Sequence, residues 1–517
     1  MAEKGYERTR NSMRNSVVAL SLQFVAMLLG FFTRKIFIDY LGTELLGLSS
    51  TVGSLLGFLN LAELGISSAI TVTLYKPIFE HDTKAIREIV ALQGWLYRVI
   101  ACTIIVAGTV LMLFFPSIFA KADVPVWYPY ITFICLMYSN LLGYFVNYKI
   151  VVVDAHQHNY KIQLRSRLVN MGRQILQALA VWLLSKKGYP LWVALDAVAA
   201  TISCILLQRL VKKEYPYLDE KVANPWALRT KYPGILTKVG QLFCHRIGGF
   251  AQGQISPVII YACCTLSTVG MYGNYCVLTA NLGYLLSAMF DGVQASVGNM
   301  VAEGDKKLIM RVFRELFSSR FTIAGVCCIC LYLLAEPFVS LWIGPEYILN
   351  RNTLIIMIAM FFITNTRSAV ESFLNAYGMF RDIWAPLVET TVSVGLSILL
   401  GRLFGLSGVL CGSLVSLILI VLIWKPIFLF HWGLKEPLGV YIGLYLKHLL
   451  ILVASFAAVI PLAGLLPIDP AQSLPAFLVY ALAVFAASVI VTGGLAWMTE
   501  TGFRSFVSRT YSVIRNR

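Results

Sequence analysis

Apolar runs of membrane-spanning length, separated by short polar turns, fill almost the whole chain. About 20 predominantly apolar residues carry a helix across roughly 30 Å of hydrocarbon, and about fourteen runs meet that requirement. They centre on Ser16 to Asp39, Leu45 to Tyr75, Ala91 to Phe119, Tyr128 to Val153, Val169 to Leu184, Leu191 to Val211 and Gly234 to Tyr261. The others centre on Thr268 to Val297, Phe317 to Ile343, Thr353 to Ala376, Ala385 to Leu403, Leu406 to Phe430, Leu449 to Leu466 and Leu474 to Trp497. Glycines and polar residues interrupt several cores, which leaves twelve or thirteen open. Composition agrees: 517 residues that are 58% hydrophobic and 13% charged exceed what a soluble core hides. The pattern predicts an all-α polytopic membrane protein.

Lys and Arg set the expected orientation, because they collect in cytoplasmic turns. The N-terminal Lys4, Arg8, Arg10 and Arg14, the turns holding Lys76 to Arg87, Lys161 to Arg167, Lys212 to Lys238 and Lys306 to Arg314, and the tail from Arg504 fall on one side. Both termini are therefore expected in the cytoplasm. The formal charge of +16 follows from this asymmetry and argues for inner-leaflet anchoring, not nucleic acid. The basic start runs into a full-length span with no A-x-A site, the pattern of a retained signal anchor. Eleven cysteines lie almost wholly in apolar runs without metal-ligand spacing, so they read as small hydrophobes.

The longest polar stretch carries Pro216, Pro225 and Pro233 and reads as a linker. The expected division is a six-helix bundle over 1–211, a cytoplasmic linker over 212–233, a second six-helix bundle over 234–431, and two further helices with a basic tail over 432–517. A duplication about an axis along the membrane normal would relate the bundles. Glu80, Asp82, Lys84 and Ile86 read E-x-D-x-K-x-I, and Glu303, Asp305, Lys307 and Ile309 repeat it with identical spacing. Gln23, Gly30 and Arg34 stand at the same offsets in the first run as Gln241, Gly248 and Gln252 in the seventh. The two charged turns are candidates for a cytoplasmic gate.

On a 3.6-residue period Gln23, Gly30 and Arg34 share one helix face, as do Gln241, His245, Gly248 and Gln252. Such a face either packs through small residues and amides or lines a water-filled cavity. Arg246, about twelve residues into its run, sits near mid-membrane, where a cation is costly unless it faces protein or water. It is the leading substrate-binding candidate, with Arg34, Gln23, Gln241, His245 and Gln252 around it. Glu63 and Asp291 are candidates for pairing with Arg246 or for ion coupling. Arg34 lies nearer the outer surface, and Lys35 beside it can snorkel.

Arg367 and Glu371 stand four apart and can neutralise each other. Arg98 and Arg320 fall where lipid-phosphate anchoring is the ordinary explanation. His156 and His158 without further ligands make a poor metal site. Asp196 and Glu389 are left without an assigned role.

The block from Lys35 to Ile70, followed by Leu74 to Pro77 and the Glu80 to Lys84 turn, resembles the N-terminal signature of Wzx-type polysaccharide-repeat flippases. These belong to the multidrug/oligosaccharidyl-lipid/polysaccharide exporter superfamily. Leu61 to Gly65 carries the more specific part of the match, and Asp154, Gln157, Asn159 and Tyr160 add a weaker one. Gly30 to Arg34 is similar to the first-helix motif of the lipid II flippase, which also has two additional C-terminal helices. The resemblance implies a V of two bundles, a cationic central cavity, and alternating access in the bacterial cytoplasmic membrane. It implies an undecaprenyl-diphosphate-linked oligosaccharide as cargo, with glycosyltransferases and a polymerase as partners. No cofactor is expected; protons, sodium or the membrane potential stand open as the driving force.

Three other classes compete. A cation-coupled multidrug exporter of the same fold favours an acidic, aromatic cavity over one centred on Arg246. A membrane glycan polymerase is an enzyme, yet no loop is long enough for a catalytic domain and no paired carboxylates appear. A scaffold leaves the intramembrane charges unexplained.

Overall fold

The computed structural model describes residues 2–515 apart from 64, 157, 221, 223, 380 and 383; the side chains at 2–23, 62, 159, 186, 238, 241–253, 288, 291–296, 299, 302–303 and 510–515 are not described. Helices make up the structure, and no strand occurs among the described residues. The chain divides into two compact units, Met1–Gly270 and Met271–Arg517.

The first unit begins with α1 (Ala2–Leu59), which bends at Gly42. Gly42 has φ 81°, a left-handed backbone that glycine adopts without a Cβ penalty. Two helices therefore meet at Gly42, between the first expected run and the second. The second run is itself cut: a 3-10 turn over Asn60–Glu63 and the left-handed Gly65, φ 94°, precede α2 (Ile66–Phe79). Then come α3 (Thr83–Leu113), the single turn α4 (Phe115–Ile118), and α5 (Trp127–Phe145), whose continuation through α6 (Val151–Ala155) is turned by 59°. The unit continues with α7 (Asn159–Leu184), α8 (Tyr189–Glu214), the short α9 (Leu228–Lys231) and α10 (Pro233–Cys263).

Small residues let helices of this unit approach closely. A Cβ on Gly47 would collide with the Leu266 carbonyl, and one on Gly57 with the Gln254 side chain. Thr43 and Ser267 hydroxyls lie 2.7 Å apart at the same seam. Tyr189 is fully buried and shares its hydroxyl with Ser49 at 3.0 Å and Thr132 at 2.8 Å. A buried phenol needs such partners.

The proline-containing stretch after α8 is docked on this unit. Lys149 pairs with Asp219 at 2.7 Å and Arg87 with Glu220, while Lys161 holds Glu214 at the end of α8 at 2.7 Å. Lys231 and Tyr232 both donate to Glu88, at 2.5 and 2.7 Å. Burial, reinforced by that bond to Glu88, pushes the Tyr232 phenol up to about 12. The Trp226 ring lies 4.1 Å from Trp95, tilted by 31°, and Arg229 lies 3.8 Å over Trp226.

In the second unit α11 (Leu266–Glu303, from Met271) leads to α12 (Lys306–Ile343), against which α13 (Arg351–Ala376) packs. Phe313, Phe317 and Phe321 repeat every four residues along one face of α12. They meet Phe373 at 5.3 Å, Tyr441 at 5.7 Å and Phe362 at 4.7 Å. The helix α14 (Trp384–Ser416) bends at Gly405, φ 59°, between two expected runs. It continues through wide turns on either side of α15 (Lys425–Phe428). The last elements, α16 (Leu438–Gly464), α17 (Leu474–Thr499) and α18 (Thr501–Arg515), all pack on α12. The basic tail expected after Trp497 is therefore mostly helix, clasped by Arg509 to Glu315 at 2.9 Å.

Seven helices among the described residues are long and apolar enough to cross a membrane, or eight if the bent α5–α6 pair counts as one span. The protein is an all-α integral membrane protein. Within α1 and α14 the backbone leaves helical geometry at Gly42 and Gly405, where two helices meet, and each break falls between two expected runs. Arg320 departs from expectation as well. It is 9% exposed with its guanidinium 4.4 Å over the Phe290 ring, a protein-facing cation-π contact in place of a lipid anchor.

Candidate functional site

The helix break in the first unit creates the best-defined polar site there. Leaving α-helical geometry at Asn60–Glu63 frees the chain to turn Glu63 toward α3 and α5. Tyr97 donates to one Glu63 oxygen at 3.0 Å and Tyr144 to the other at 2.8 Å. Tyr144 also reaches Asn60 Oδ1 at 3.2 Å, and the two rings meet edge-on at 5.3 Å. Both tyrosines are nearly inaccessible, at 5% and 4%. The fourteen residues of α2 place Glu63 about 20 Å from the Glu80 turn. A carboxylate has about four acceptor positions, so the two phenols leave capacity for a proton or a cation. Among the described residues no Lys or Arg stands within the 4.0 Å of an ion pair with Glu63.

Arg34 is half-buried on α1, and Lys35 beside it pairs with Asp39 at 3.5 Å. Nothing described lies within 4 Å of the point where a Cβ on Gly30 would sit. The face shared by Gly30 and Arg34 is open there, whereas Gly47 and Gly57 are the packing glycines of α1. The side chains of Gln23, Gln241, His245, Arg246, Gln252, Asp291 and Glu303 lie outside the described residues.

The repeated E-x-D-x-K-x-I turns have one local build. His81 (φ 54°) and Gly304 (φ 79°) are left-handed, and the aspartate that follows caps the next helix. Asp82 accepts from Ala85 N at 2.9 Å; Asp305 accepts from Lys307 N at 2.9 Å and Leu308 N at 3.2 Å. Ile86 and Ile309 are buried, while Lys84 and Lys307 are exposed and Glu80 lies 3.8 Å from Lys76. The motif is a helix stop followed by a helix start.

In the second unit a cavity of about 490 Å³ lies between α11 and α13, within the range of roughly 300–1,000 Å³ typical of small-molecule sites. Arg367, Glu371, Asn365, Thr279 and Ser287 supply its polar wall, and Met357, Met360, Phe361 and Tyr272 its apolar one. Arg367 Nε is 3.3 Å from Glu371, the i,i+4 pairing expected from the sequence. That pair faces the cavity, a role the sequence reading did not give it. The signal was available: Thr364, Asn365, Arg367, Ser368 and Glu371 make a polar stripe along one apolar helix.

Asp196, unassigned from the sequence, pairs with Arg173 across α7 and α8. Gln177 Nε2 also donates to Asp196 at 3.1 Å and to the Trp192 carbonyl at 2.9 Å.

The model of the polysaccharide biosynthesis protein family matches residues 12–293. No curated protein matches the sequence. Among solved structures, the lipid II flippase MurJ in an inward closed conformation aligns with a TM-score of 0.64 at 13% identity, over 95% of this chain and 100% of that one. An inward-facing multidrug resistance MATE family transporter of the MOP superfamily aligns with a TM-score of 0.53 at 12% identity, over 81% of this chain and 98% of that one. At these identities the likeness concerns the fold.

Proposed function

Because this chain belongs to the polysaccharide biosynthesis protein family, we propose that it is a flippase for an undecaprenyl-diphosphate-linked oligosaccharide, moving it from the inner to the outer leaflet by alternating access. The observation that carries the reading is an arginine in the wall of a cavity formed by α11 and the apolar, span-length α13: Arg367 among Asn365, Thr279 and Ser287. A sugar diphosphate cannot enter hydrocarbon, where an unpaired ionised group costs tens of kcal/mol. A guanidinium bonds phosphate through two parallel N–H donors, and amide and hydroxyl neighbours suit sugar hydroxyls. The prenyl tail stays in the bilayer while the head crosses. In this reading Arg246 on α10 and Arg34 on α1 are further substrate-binding candidates of the first unit, with Gln23, Gln241, His245 and Gln252, and the two charged turns are candidate cytoplasmic gates. The bacterial cytoplasmic membrane, cytoplasmic termini, the bundle division at 212–233, and glycosyltransferase and polymerase partners complete the reading.

The direct test is transfer of a labelled lipid-linked sugar across proteoliposomes containing the purified protein. If the diphosphate moves with uncompensated negative charge, an inside-negative potential favours outward passage by about 2.3 kcal/mol per charge per 100 mV. Transfer is therefore expected to quicken under that potential. Folded protein that moves no lipid-linked sugar overturns the reading; movement indifferent to potential and to ion gradients identifies a passive scramblase.

Glu63 is the coupling group in this scheme, because its two phenols hold it in place while leaving room for a proton or sodium. Glu63→Gln keeps the shape and removes the charge. The variant is expected to retain downhill flipping but lose any dependence on a proton or sodium gradient. A gradient dependence equal to wild type removes Glu63 from coupling.

A second reading has its own observation. Glu371 with Met357, Met360, Phe361 and Tyr272 also suits a lipophilic cation. Under that reading Glu371→Gln abolishes drug efflux in cells, and no lipid-linked sugar is flipped.

A further inference from the structure

The bend between α5 and α6 opens a second cavity, also of about 490 Å³, on the first unit. Asn147–Ile150 form a 3-10 turn at the bend, which brings Lys149 against the end of α8 and the stretch after it. Lys149, Arg209 and Lys212 line the cavity with Asp219, so three cations face one carboxylate. Lys149 donates to Asp219 at 2.7 Å and holds that carboxyl below its ordinary range. Among the described residues no carboxylate stands within the 4.0 Å of an ion pair with Arg209 or Lys212.

The lining is ordered along α8. Ile205, Gln208, Arg209 and Lys212 fall on one helical face, so the wall passes from apolar to cationic within about 10 Å. Phe145 and Ile205, each 43% exposed, form the apolar end. A soluble anion has no use for that apolar end; a phosphate carrying acyl chains does.

We propose that this cavity binds the phosphate of an anionic membrane phospholipid, held by Arg209 with Lys149 and Lys212 while an acyl chain lies against Phe145 and Ile205. The bound lipid joins the broken α5–α6 helix to α8 and to the docked stretch bearing Asp219. The site is separate from the Arg367 cavity and does not depend on the cargo assigned there. It also differs from diffuse inner-leaflet attraction, in which every basic residue near the surface contributes alike, about fivefold in affinity each.

Lys213 makes that difference measurable: it is exposed at the same helix end but does not line the cavity. Native mass spectrometry of the full-length protein in detergent, titrated with dioleoyl phosphatidylglycerol and with dioleoyl phosphatidylcholine, reads the selectivity. Wild type is expected to retain the anionic lipid preferentially. Arg209→Gln and Lys212→Gln are each expected to weaken it about tenfold or more, because a charge-assisted bond in a formed pocket is lost, and Lys213→Gln less than twofold. Both substituted residues are exposed, so an unchanged melting temperature without lipid is expected to show that the fold persists. Equal losses at Lys212 and Lys213, or no selectivity in wild type, overturn the proposal. Glycerol 3-phosphate competing as well as the whole lipid overturns the lipid assignment and makes the ligand a soluble phosphate.

Discussion

Arg367→Ala is expected to lower flipping of a diphosphate-headed lipid by about 10²–10⁴-fold while the protein still inserts and folds. Two hydrogen bonds to a charged phosphate are worth about 1.5–3 kcal/mol each, and every 1.4 kcal/mol is about tenfold. The substitution also leaves Glu371 facing the cavity without the cation now 3.3 Å away, so an approaching anion meets a bare carboxylate. Two further variants separate these effects. Arg367→Lys keeps the charge but not the planar fork and is expected to recover part of the rate. Arg367→Ala with Glu371→Ala removes the repulsion and is expected to exceed the single variant. Normal flipping by well-inserted Arg367→Ala excludes the α13 wall from headgroup binding. If Arg246→Ala abolishes flipping in the same assay, the headgroup is held by α10 instead.

Much of the fold is legible in the chain because hydrocarbon forces each apolar run into a helix. The boundary between the first two expected runs falls between Asp39 and Leu45, and the bend is at Gly42; the boundary between Leu403 and Leu406 meets the bend at Gly405. Hydropathy passes over the interruption at Asn60–Gly65, since Leu61 and Ile66 keep the average apolar on both sides. Asn60, Glu63 and Gly65 together were its signal. The site itself is less legible. Glu63 meets Tyr97 and Tyr144 across 34 and 81 residues of sequence, distances over which periodicity carries no information. The repeated E-x-D-x-K-x-I was legible as a recurrence but not as capping. The left-handed residue before each aspartate is histidine in one copy and glycine in the other, so only the backbone reveals the common build.

Arg173→Met is expected to cost about 1–3 kcal/mol of stability, the penalty for leaving a part-buried carboxylate, 21% exposed beside an arginine 26% exposed, without its charged hydrogen-bond partner. Asp196 would then rely on the single bond from Gln177 Nε2 at 3.1 Å, which carries no charge. In water an exposed pair of this kind contributes little. Between α7 and α8 the two side chains are about three-quarters covered, which limits how far solvent can replace the lost partner. The reverse variant, Asp196→Leu alone, is expected to destabilise comparably by stranding Arg173. Combining Arg173→Met with Asp196→Leu removes both desolvation penalties and is expected to return the melting temperature close to wild type, since apolar replacement of a whole buried pair is often neutral or stabilising. Thermal unfolding of the four proteins in one detergent, followed by size-exclusion fluorescence, measures the cycle. Additive losses in the double variant would mean that the two residues do not act as a pair. A double variant that is stable yet inactive in flipping would move Arg173 and Asp196 from holding α7 against α8 to handling the headgroup.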